Sequence, residues 1–271
     1  MTDSSPPIRV AIAGASGRMG QMLIEAVRAS GDCQLAGALD RADSPALGQD
    51  AGAFAGWASG VPVQAALDAG LQNAQVLIDF TRPEATLAHL AACRRLGVAL
   101  VIGTTGFTDA QKADIAAAAQ DIAIVMAPNM SVGVNLVIEV AAELARRLGE
   151  DFDVEIVETH HRMKKDAPSG TAVRLAEVMA KSLGRDADDI CMSRVGQVGE
   201  RPRKQIGVQT LRGGDVVGEH TVFFFGDGER VELTHRATSR EQFARGALRA
   251  AKWVVGKKPG LYSMTDVLGL K

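Results

Sequence analysis

The sequence predicts an α/β protein: a doubly wound parallel sheet, followed by a second α+β domain with a mixed, largely antiparallel sheet. Short apolar segments alternate with helical segments over roughly the first half of the chain. After Asn129 the pattern changes to one long amphipathic helix and to strands of alternating polarity. The length of 271 residues exceeds a typical single core of about 150 residues, so two domains are expected.

The strands predicted for the first domain are short, apolar and rich in β-branched residues. The first of them, residues 8–14, ends on Gly14 just before the helical segment 18–30. The other four cover residues 33–40, 74–81, 98–105 and 121–128.

Helices are predicted between the last three of these strands. One has Pro83 in its first turn and stops at Gly97, while the other has Thr108 as N-cap and Gln111 three residues later, which is a capping box. Strands that alternate with helices need crossover connections, and right-handed crossovers give a parallel sheet covered on both faces.

The second domain is predicted from a helix at 131–149 and a strand at 151–159 whose apolar and acidic residues alternate. Three further strands, 205–212, 216–225 and 229–237, are joined by the segments "GGD" and "GDG". Both segments are typical of hairpin turns, so a mixed or antiparallel sheet is expected.

A last helix is predicted at 240–255, with Ser239 and Gln242 as a second capping box and Gly256 as its C-terminal cap. Its apolar face includes Phe243 and Ala247. The pattern allows this helix to pack on either domain.

Composition restricts the function to small-molecule chemistry. The formal net charge is −2, which gives no field that would attract nucleic acid or anionic lipid. The three cysteines are scattered, and no apolar run reaches about 18 residues, so no disulfide framework, zinc site or membrane span is expected. Without a basic and apolar leader, the chain is expected in the cytoplasm.

The basic segment 199–205 is interpreted as a solvated loop, or alternatively as a mobile loop over a site.

Glycines at the end of the first strand predict a dinucleotide site. Gly14, Gly17 and Gly20 suit a tight turn, an approach of backbone to a pyrophosphate, and close packing of helix on strand. Taken alone, such a glycine triplet is as typical of a purely structural strand-to-helix turn as it is of a dinucleotide site. Asp40, however, ends the second strand about 20 residues further on, where an acid would bind ribose hydroxyls. Arg41 follows and could meet a 2′-phosphate, so NADH or NADPH is expected; the alternative is that Asp40 only caps a loop.

The ends of the fourth and fifth strands are candidates for the nicotinamide half of the site. Ligands of open α/β sheets bind beyond the carboxyl ends of the strands. The segments concerned are Gly103 to Thr105 and Ala127 to Met130. A capping or turn role for Asn129 is equally compatible with the pattern.

The segment "ETHHRMKKDAPSGTA" predicts an anion site. His160 and His161 are followed by Lys164 and Lys165, and such crowded cations are unfavourable unless an anion is bound. Ser169 can cap a helix whose first exposed amides, those of Gly170 and Thr171, would bind a carboxylate. An ordinary capped helix after a solvated basic turn is the alternative. Together with a nicotinamide site, these groups indicate hydride transfer paired with protonation and no metal.

Motifs along nearly the whole chain resemble one family. They are "VAIAGASGRMG", "IDFTRPE", "VIGTTGF", "NMSVGVN", "HHRMKKDAPSGTA", "VGEHTVFF" and "ELTHRATSR". They resemble the dihydrodipicolinate reductases, also called 4-hydroxy-tetrahydrodipicolinate reductases, of bacterial lysine and diaminopimelate biosynthesis. The histidine segment is the specific one, since glycine motifs occur in dozens of oxidoreductase families.

This resemblance implies a Rossmann-like domain at 1–130 completed by 240–271, a substrate and oligomerisation domain at 131–239, and a homotetramer. It implies that NADH or NADPH delivers hydride to ring carbon 4 of a cyclic dicarboxylate, with loss of the hydroxyl as water.

The resemblance also implies residue roles. His160 would be a proton donor or acceptor and Lys164 a proton donor. The substrate carboxylates would be held by His161, Ser169, Gly170 and Thr171. The cofactor would be bound by Gly14, Ala15, Ser16, Gly17, Arg18, Met19, Asp40, Arg41, Gly103, Thr104, Thr105, Ala127, Pro128, Asn129 and Met130. Two positions depart from the family pattern. Many relatives have glutamate where this chain has Asp40, and some have a small residue where it has Pro128.

Two other interpretations remain at this stage. One is a different amino-acid dehydrogenase, such as a homoserine dehydrogenase relative, which the double histidine disfavours. The other is a sensor that binds the nicotinamide cofactor without catalysis. A sensor would not need Lys164, so the presence of both proton-transfer candidates favours an enzyme.

Overall fold

The computed structural model describes residues 6–270. The chain forms two compact units. The first contains the described residues up to Val132 together with those from Glu241 onward, and the second is Gly133–Arg240.

The elements follow in chain order. Up to the second unit they are β1 (Ile8–Ala13), α1 (Arg18–Ala29), β2 (Cys33–Leu39), β3 (Val63–Gln64), α2 (Leu67–Leu71), β4 (Val76–Asp79), α3 (Pro83–Leu96), β5 (Ala99–Ile102), α4 (Asp109–Ala118) and β6 (Ala123–Met126). Then come α5 (Val132–Leu148), β7 (Asp153–His160), α6 (Gly170–Ser182), β8 (Ile190–Cys191), β9 (Ile206–Arg212), β10 (Gly218–Gly226) and β11 (Glu229–Ala237). The chain returns to the first unit with α7 (Glu241–Val254), β12 (Gly260–Tyr262) and α8 (Met264–Leu268).

The first unit is built on a seven-stranded sheet in the order β12-β6-β5-β4-β1-β2-β3. Every strand pair in it is parallel. Successive residues of β1 face opposite sides, so Val10 and Ile12 enter one buried cluster with α1 and α7 while Ala11 and Ala13 enter another with α3 and α4. The predicted doubly wound parallel sheet is confirmed.

The local signals of the first unit are also confirmed. Thr108 Oγ1 accepts a hydrogen bond from Gln111 N at 3.3 Å, and Gln111 Oε1 accepts one from Thr108 N at 2.9 Å, which is the predicted capping box of α4. The two shortest strands of this unit, β3 and β12, are not predicted by the sequence. They have two and three residues, too few to show a polarity period.

The second unit contains a five-stranded sheet in the order β11-β10-β7-β9-β8. The β11–β10 and β10–β7 pairs are antiparallel, whereas β7–β9 and β9–β8 are parallel. The predicted mixed sheet is confirmed, although its pairs divide evenly and are not largely antiparallel. One face of the sheet packs on α6 and α5 in a cluster that includes Ile156, Leu175 and Phe224.

The prediction that "GGD" forms a hairpin between β9 and β10 is wrong, whereas "GDG" does join β10 to β11. Strand β7 lies between β9 and β10 and pairs with both of them. The connection therefore passes over the end of β7, where Gly213 N donates to His160 O at 3.0 Å and Arg162 N donates to Gly214 O at 3.2 Å. The chain can reverse here because Gly214 has φ +52°.

Helix α7 packs within the first unit. Ala247, Ala251 and Val254 are fully buried in its core, as the apolar face suggested. Gly246 permits a close approach, because a Cβ at this position would lie 1.8 Å from the carbonyl oxygen of Met130.

Candidate active site

The glycine turn after β1 is held by backbone geometry. Gly14 has φ +66°, a conformation that favours glycine. A Cβ on Gly20 would lie 2.1 Å from the Gly14 carbonyl oxygen, so α1 could not begin this close to β1 with any other residue. Gly17 is the N-cap of α1.

Three amides of this turn donate hydrogen bonds within the protein. Ala15 N donates to Leu39 O, and Gly17 N donates to Gly14 O, both at 2.9 Å. Ser16 N donates to the Asp40 carboxylate at 2.9 Å. The donors that face outward are therefore the first-turn amides of α1, which begin at Arg18 and Met19 and have no intrahelical acceptor.

A cleft of about 810 Å³ lies over this turn within the first unit. Its walls include Gly14, Ser16, Gly17, Arg18, Met19, Asp40 and Arg41 from the predicted cofactor set. Burial would raise the pKa of Asp40, but hydrogen bonds from Ser16 and Arg41 lower it overall, so the carboxylate stays ionised. The exposed Arg41 forms an ion pair with Asp43 at 3.2 Å.

The remaining predicted cofactor residues lie at the ends of β1, β5 and β6, and they do not line this cleft. Thr104, Ala127 and Met130 are buried, Ala15 is buried beside the turn, and Gly103 and Asn129 are half-buried. Thr105 and Pro128 are exposed. Asn129 Oδ1 accepts from Ser131 N at 2.9 Å, so the suggested turn role is present.

A buried polar network that sequence reasoning missed supports one wall of the cleft. Asp79 is fully buried at the end of β4 and accepts from Thr81 N at 2.9 Å and from Thr81 Oγ1 at 2.6 Å. His89 Nδ1 lies 2.7 Å from the other carboxylate oxygen. Thr104 Oγ1 joins the network at 3.3 Å from Asp79 and 3.0 Å from Thr86. Thr81 and His89 line the cleft, so this network fixes part of its wall.

In the second unit, strand register brings the polar residues together. Glu158 of β7 is paired with His220 of β10 on one side and with Thr210 of β9 on the other. His160, two residues along β7, is paired with Arg212. Residues two apart share a face of a strand, so Glu158 and His160 point to the same side as the buried Val154.

Glu158 is the acceptor at the centre of this group. It is fully buried and accepts two hydrogen bonds of 2.9 Å from Arg212, one from Ser169 N at 2.9 Å, and one from His160 Nδ1 at 2.5 Å. Burial alone would raise the pKa of Glu158. The bonds from Arg212, His160 and Ser169 outweigh it and lower this pKa to about 2.

The two predicted catalytic residues lie in the same unit. The side chain of His160 is 12% exposed, and burial lowers its pKa although Glu158 opposes the shift. Lys164 Nζ lies 2.9 Å from the Asp166 carboxylate, and its side chain is 20% exposed. His161 is half-buried, with Nε2 at 3.5 Å from Arg240.

Ser169 caps α6 as the sequence predicts, since its Oγ accepts from Ala172 N at 3.2 Å. Its backbone N–H donates to Glu158, and its Oγ lies 3.0 Å from His220 Nε2. Ser169 is therefore buried in the wall, while Gly170 is exposed and Thr171 half-buried at the start of the helix. Helix N-terminal amides of this kind bind carboxylates.

His220 predicts a pH dependence of stability in the second unit. Burial, followed by the nearby charge of His160, lowers the pKa of His220 to about 4. The unfolded chain therefore takes up this proton at a higher pH than the folded one, and stability is lost as the pH falls from about 6.5 to 4.

The expected size of this effect is about 3 kcal/mol, and a His220→Asn variant would lack it. Both tryptophans, Trp57 and Trp253, belong to the first unit, so tryptophan fluorescence does not report on the second. Hydrogen exchange of β7 and β10 amides at pH 7 and pH 4 would measure the loss of stability instead. Equal acid sensitivity in the two proteins would contradict a neutral buried His220.

Comparison with known proteins assigns the chain to a family. The family model described as "Dihydrodipicolinate reductase, N-terminus" matches residues 8–130, and the one described as "Dihydrodipicolinate reductase, C-terminus" matches residues 133–268. The chain belongs to the dihydrodipicolinate reductase family. The predicted family is thereby confirmed.

Relatives with this activity are similar over nearly their whole length. A 4-hydroxy-tetrahydrodipicolinate reductase of Anaeromyxobacter dehalogenans (strain 2CP-C) is 59% identical, with 97% of this chain and 98% of the relative covered. One of Myxococcus xanthus (strain DK1622) is 57% identical, with 97% and 98% covered. The dipicolinate-bound dihydrodipicolinate reductase of Paenisporosarcina sp. TG-14 has a TM-score of 0.77 at 27% identity, with 96% of this chain and 99% of that chain covered.

These names confirm the predicted activity class for this member of the dihydrodipicolinate reductase family. The chain is an oxidoreductase of the 4-hydroxy-tetrahydrodipicolinate reductase type, and the family uses a nicotinamide cofactor. Within residues 6–270, no helix is long and apolar enough to cross a bilayer.

Several polar residues beside the predicted ones were missed, although two carried a signal. Glu158 follows Val154 and Ile156 at the same alternate positions of β7, so it is an acid on the apolar side of a strand. Asp79 likewise interrupts an apolar strand. Arg212 and His220 gave no comparable signal, because their role depends on which strands pair.

Proposed function

We propose that this chain reduces 4-hydroxy-tetrahydrodipicolinate to tetrahydrodipicolinate, with loss of water, in lysine and diaminopimelate biosynthesis. The observation that carries the proposal is that His160 and the α6 N-terminus both bind Glu158, with Lys164 near enough to act on the ionisation of His160, in a chain 59% identical to a reductase of that name. We assign cofactor binding to the first unit and substrate binding to the second.

The cleft over the glycine turn fits a dinucleotide. Its volume of about 810 Å³ lies within the range of pockets that hold molecules of this size. The first-turn amides of α1 are suited to the pyrophosphate, and the ionised Asp40 to ribose hydroxyls. A bound nicotinamide supplies a hydride to the substrate ring. We assign the segments Gly103 to Thr105 and Ala127 to Met130 to the nicotinamide half, as the family resemblance implies.

The second unit offers the complementary groups for a diacid. Gly170 and Thr171 begin α6, whose N-terminal amides suit a carboxylate, and we assign His161 and Lys164 of the same segment to the substrate carboxylates and to proton transfer. Ser169 supports this site from within the wall by capping α6. The dipicolinate bound by the Paenisporosarcina reductase is a planar diacid of the same kind.

We assign proton transfer to Lys164 as a donor and to His160 as a donor or acceptor. Reduction at ring carbon 4 with departure of the hydroxyl consumes one proton, because the hydroxyl leaves as water. Lys164 pairs with Asp166 and is assigned as the proton donor, and the imidazole of His160 can donate or accept a proton.

The assay that tests this function follows loss of the reduced nicotinamide with freshly prepared 4-hydroxy-tetrahydrodipicolinate. Pyridine-2,6-dicarboxylate should inhibit in competition with the substrate. Cofactor binding without turnover of this substrate would instead support the sensor interpretation.

Arg41 provides a test of cofactor choice. It is exposed at the cleft, where it pairs with the exposed Asp43, and we assign to it the contact with a 2′-phosphate. Arg41→Ala should weaken NADPH binding about 10- to 100-fold and NADH binding much less. Titration of both cofactors would measure this, with Arg94→Ala, which removes an exposed arginine paired with Asp121, as control. Equal weakening of both cofactors would contradict this role.

We also propose a homotetrameric assembly in the cytoplasm, as the family resemblance implies. Phe223 and Phe225 support an interface on the sheet of the second unit, because their rings stack at 5.6 Å and Phe225 is 37% exposed.

The basic segment 199–205 is held to the sheet of the second unit by Arg201, which pairs with Asp153 and Glu155.

A further inference from the structure

The pair Glu158 and His160 has a geometry that selects one form of the imidazole. Both side chains lie on the same face of β7, and the distance between Glu158 Oε2 and His160 Nδ1 is 2.5 Å. A neutral imidazole carries its proton on only one nitrogen. The partner of each ring nitrogen therefore determines which of them can exchange a proton.

Glu158 can act only as an acceptor. Arg212 contacts both of its carboxylate oxygens at 2.9 Å, and Ser169 N donates to one of them at 2.9 Å. These donors keep the carboxylate ionised, and an ionised carboxylate has no proton to donate. The hydrogen bond to His160 must accordingly come from Nδ1–H.

The other nitrogen, Nε2, is left open. It forms no hydrogen bond with any residue in the described part of the chain. Gly218 at the start of β10 lies opposite this nitrogen, since an added Cβ there would lie 2.9 Å from Nε2. Gly218 does not have a positive φ, so its backbone conformation does not require glycine. Glycine is needed here because a Cβ would occupy the space in front of Nε2.

We propose that Glu158 is a positioning residue for His160: it holds the imidazole with its proton on Nδ1 and thereby assigns proton exchange to Nε2, which Gly218 leaves open. This inference rests on the proposed function, in which His160 exchanges a proton with the substrate. Glu158 contacts no substrate atom in this scheme and acts only through the imidazole.

The exchange is balanced at a single nitrogen. When Nε2 takes a proton from a substrate atom, the bond between that atom and the proton breaks, the Nε2–H bond forms, and the ring becomes an imidazolium whose Nδ1–H remains bonded to Glu158. When the proton is returned, the same Nε2–H bond breaks and the neutral Nδ1–H form is restored. The carboxylate stabilises the cationic form and is never protonated itself.

The charged groups around the ring set its pH response. Burial, followed by Lys164 and Arg212, disfavours the imidazolium, whereas Glu158 favours it. The ring of His220 lies beside it at 5.2 Å between centroids. Loss of the Glu158 charge should therefore shift the ionisation of His160 to lower pH.

The first test is the tautomer itself. The chain has five histidines, so long-range ¹H–¹⁵N spectra of histidine-labelled protein are simple, and a His160→Gln variant assigns the signal. We expect Nδ1–H in the unmodified protein. In Glu158→Gln an amide N–H can face Nδ1, and we expect His160 to change to the Nε2–H form. A wild-type ring protonated on Nε2, or an unchanged tautomer in Glu158→Gln, would overturn the proposal.

Kinetics give the second test. Glu158→Gln should lower kcat by about 10²-fold or more, move the His160 ionisation in the pH profile to lower pH, and leave cofactor affinity unchanged. A loss of activity with no change in the pH profile would show a structural role and overturn the proposal. Amide exchange of β7 checks that the variant is folded.

Gly218→Ala tests the open nitrogen separately. It should keep the Nδ1–H form, because Glu158 is untouched, and still lower kcat by about tenfold or more because the methyl group blocks Nε2. Gly31→Ala is the control, since a Cβ there meets nothing within 4 Å. Full activity of Gly218→Ala would contradict exchange at Nε2.

Failure of the proposed function can be distinguished from failure of the positioning role of Glu158. The tautomer is measured without substrate, so it does not depend on the reaction assigned to the chain. Retention of full turnover by His160→Gln would remove His160 from the proposed function, whatever its tautomer. A strong loss in His160→Gln with an unaltered tautomer in Glu158→Gln would remove only Glu158.

Discussion

Replacement of Lys164 by methionine should lower kcat by about 10² to 10⁴-fold, the usual contribution of a general acid. Methionine keeps the length of the side chain but has no proton to donate. Lys164 Nζ is held 2.9 Å from the Asp166 carboxylate, which fixes its position. Cofactor affinity should not change, because the glycine turn and Asp40 belong to the first unit.

Lys165→Met is the matched control for this experiment. Lys165 is the adjacent residue and is exposed, so the same chemical change there should affect kcat far less. Turnover would be measured by loss of the reduced nicotinamide, and cofactor affinity by fluorescence titration. If Lys164→Met lost cofactor binding and turnover to the same extent, the lysine would be structural rather than a proton donor.

The fold of the first unit could be predicted from local sequence because its signals are local. A parallel strand buried on both faces is a short apolar run, and Gly14, Gly97 and the Thr108 capping box mark where the neighbouring elements start and stop. The sheet order of the second unit could not be obtained in this way. The "GGD" segment has hairpin composition, but the placement of β7 between β9 and β10 depends on pairings between strands far apart in the sequence.

The same distinction applies to the candidate site. The residues found from sequence, such as His160 and Ser169, lie in one continuous segment with a capped helix. Their partners Arg212 and His220 come from β9 and β10, and they meet Glu158 only through strand register. Ser16 gives a further example: the resemblance implies a cofactor role for it, and its amide also donates to Asp40, a contact between residues 24 positions apart that no local pattern specifies.

Replacement of Asp79 by alanine should destabilise the first unit by about 3–5 kcal/mol, the usual effect of removing one partner from a buried polar pair. Thr81 N, Thr81 Oγ1 and His89 Nδ1 would lose their acceptor at 2.6 to 2.9 Å, and loss of an acceptor leaves these donors unsatisfied inside the protein. Burial alone would raise the pKa of Asp79, but its hydrogen bonds, led by that of His89, lower it below its ordinary 3.8. The contribution is therefore complete at neutral pH and is lost only as the pH falls below about 4.

Both tryptophans, Trp57 and Trp253, lie in the first unit, so denaturant unfolding followed by tryptophan fluorescence reports on this unit. Asp114→Ala, the same change on the exposed face of α4, should alter the free energy of unfolding by less than about 0.5 kcal/mol. Cofactor affinity should fall with the Asp79 variant, because Thr81 and His89 form part of the cleft wall. Unfolding curves that coincide for the two variants at pH 7 would show that the hydrogen-bond network of Asp79 does not stabilise the first unit.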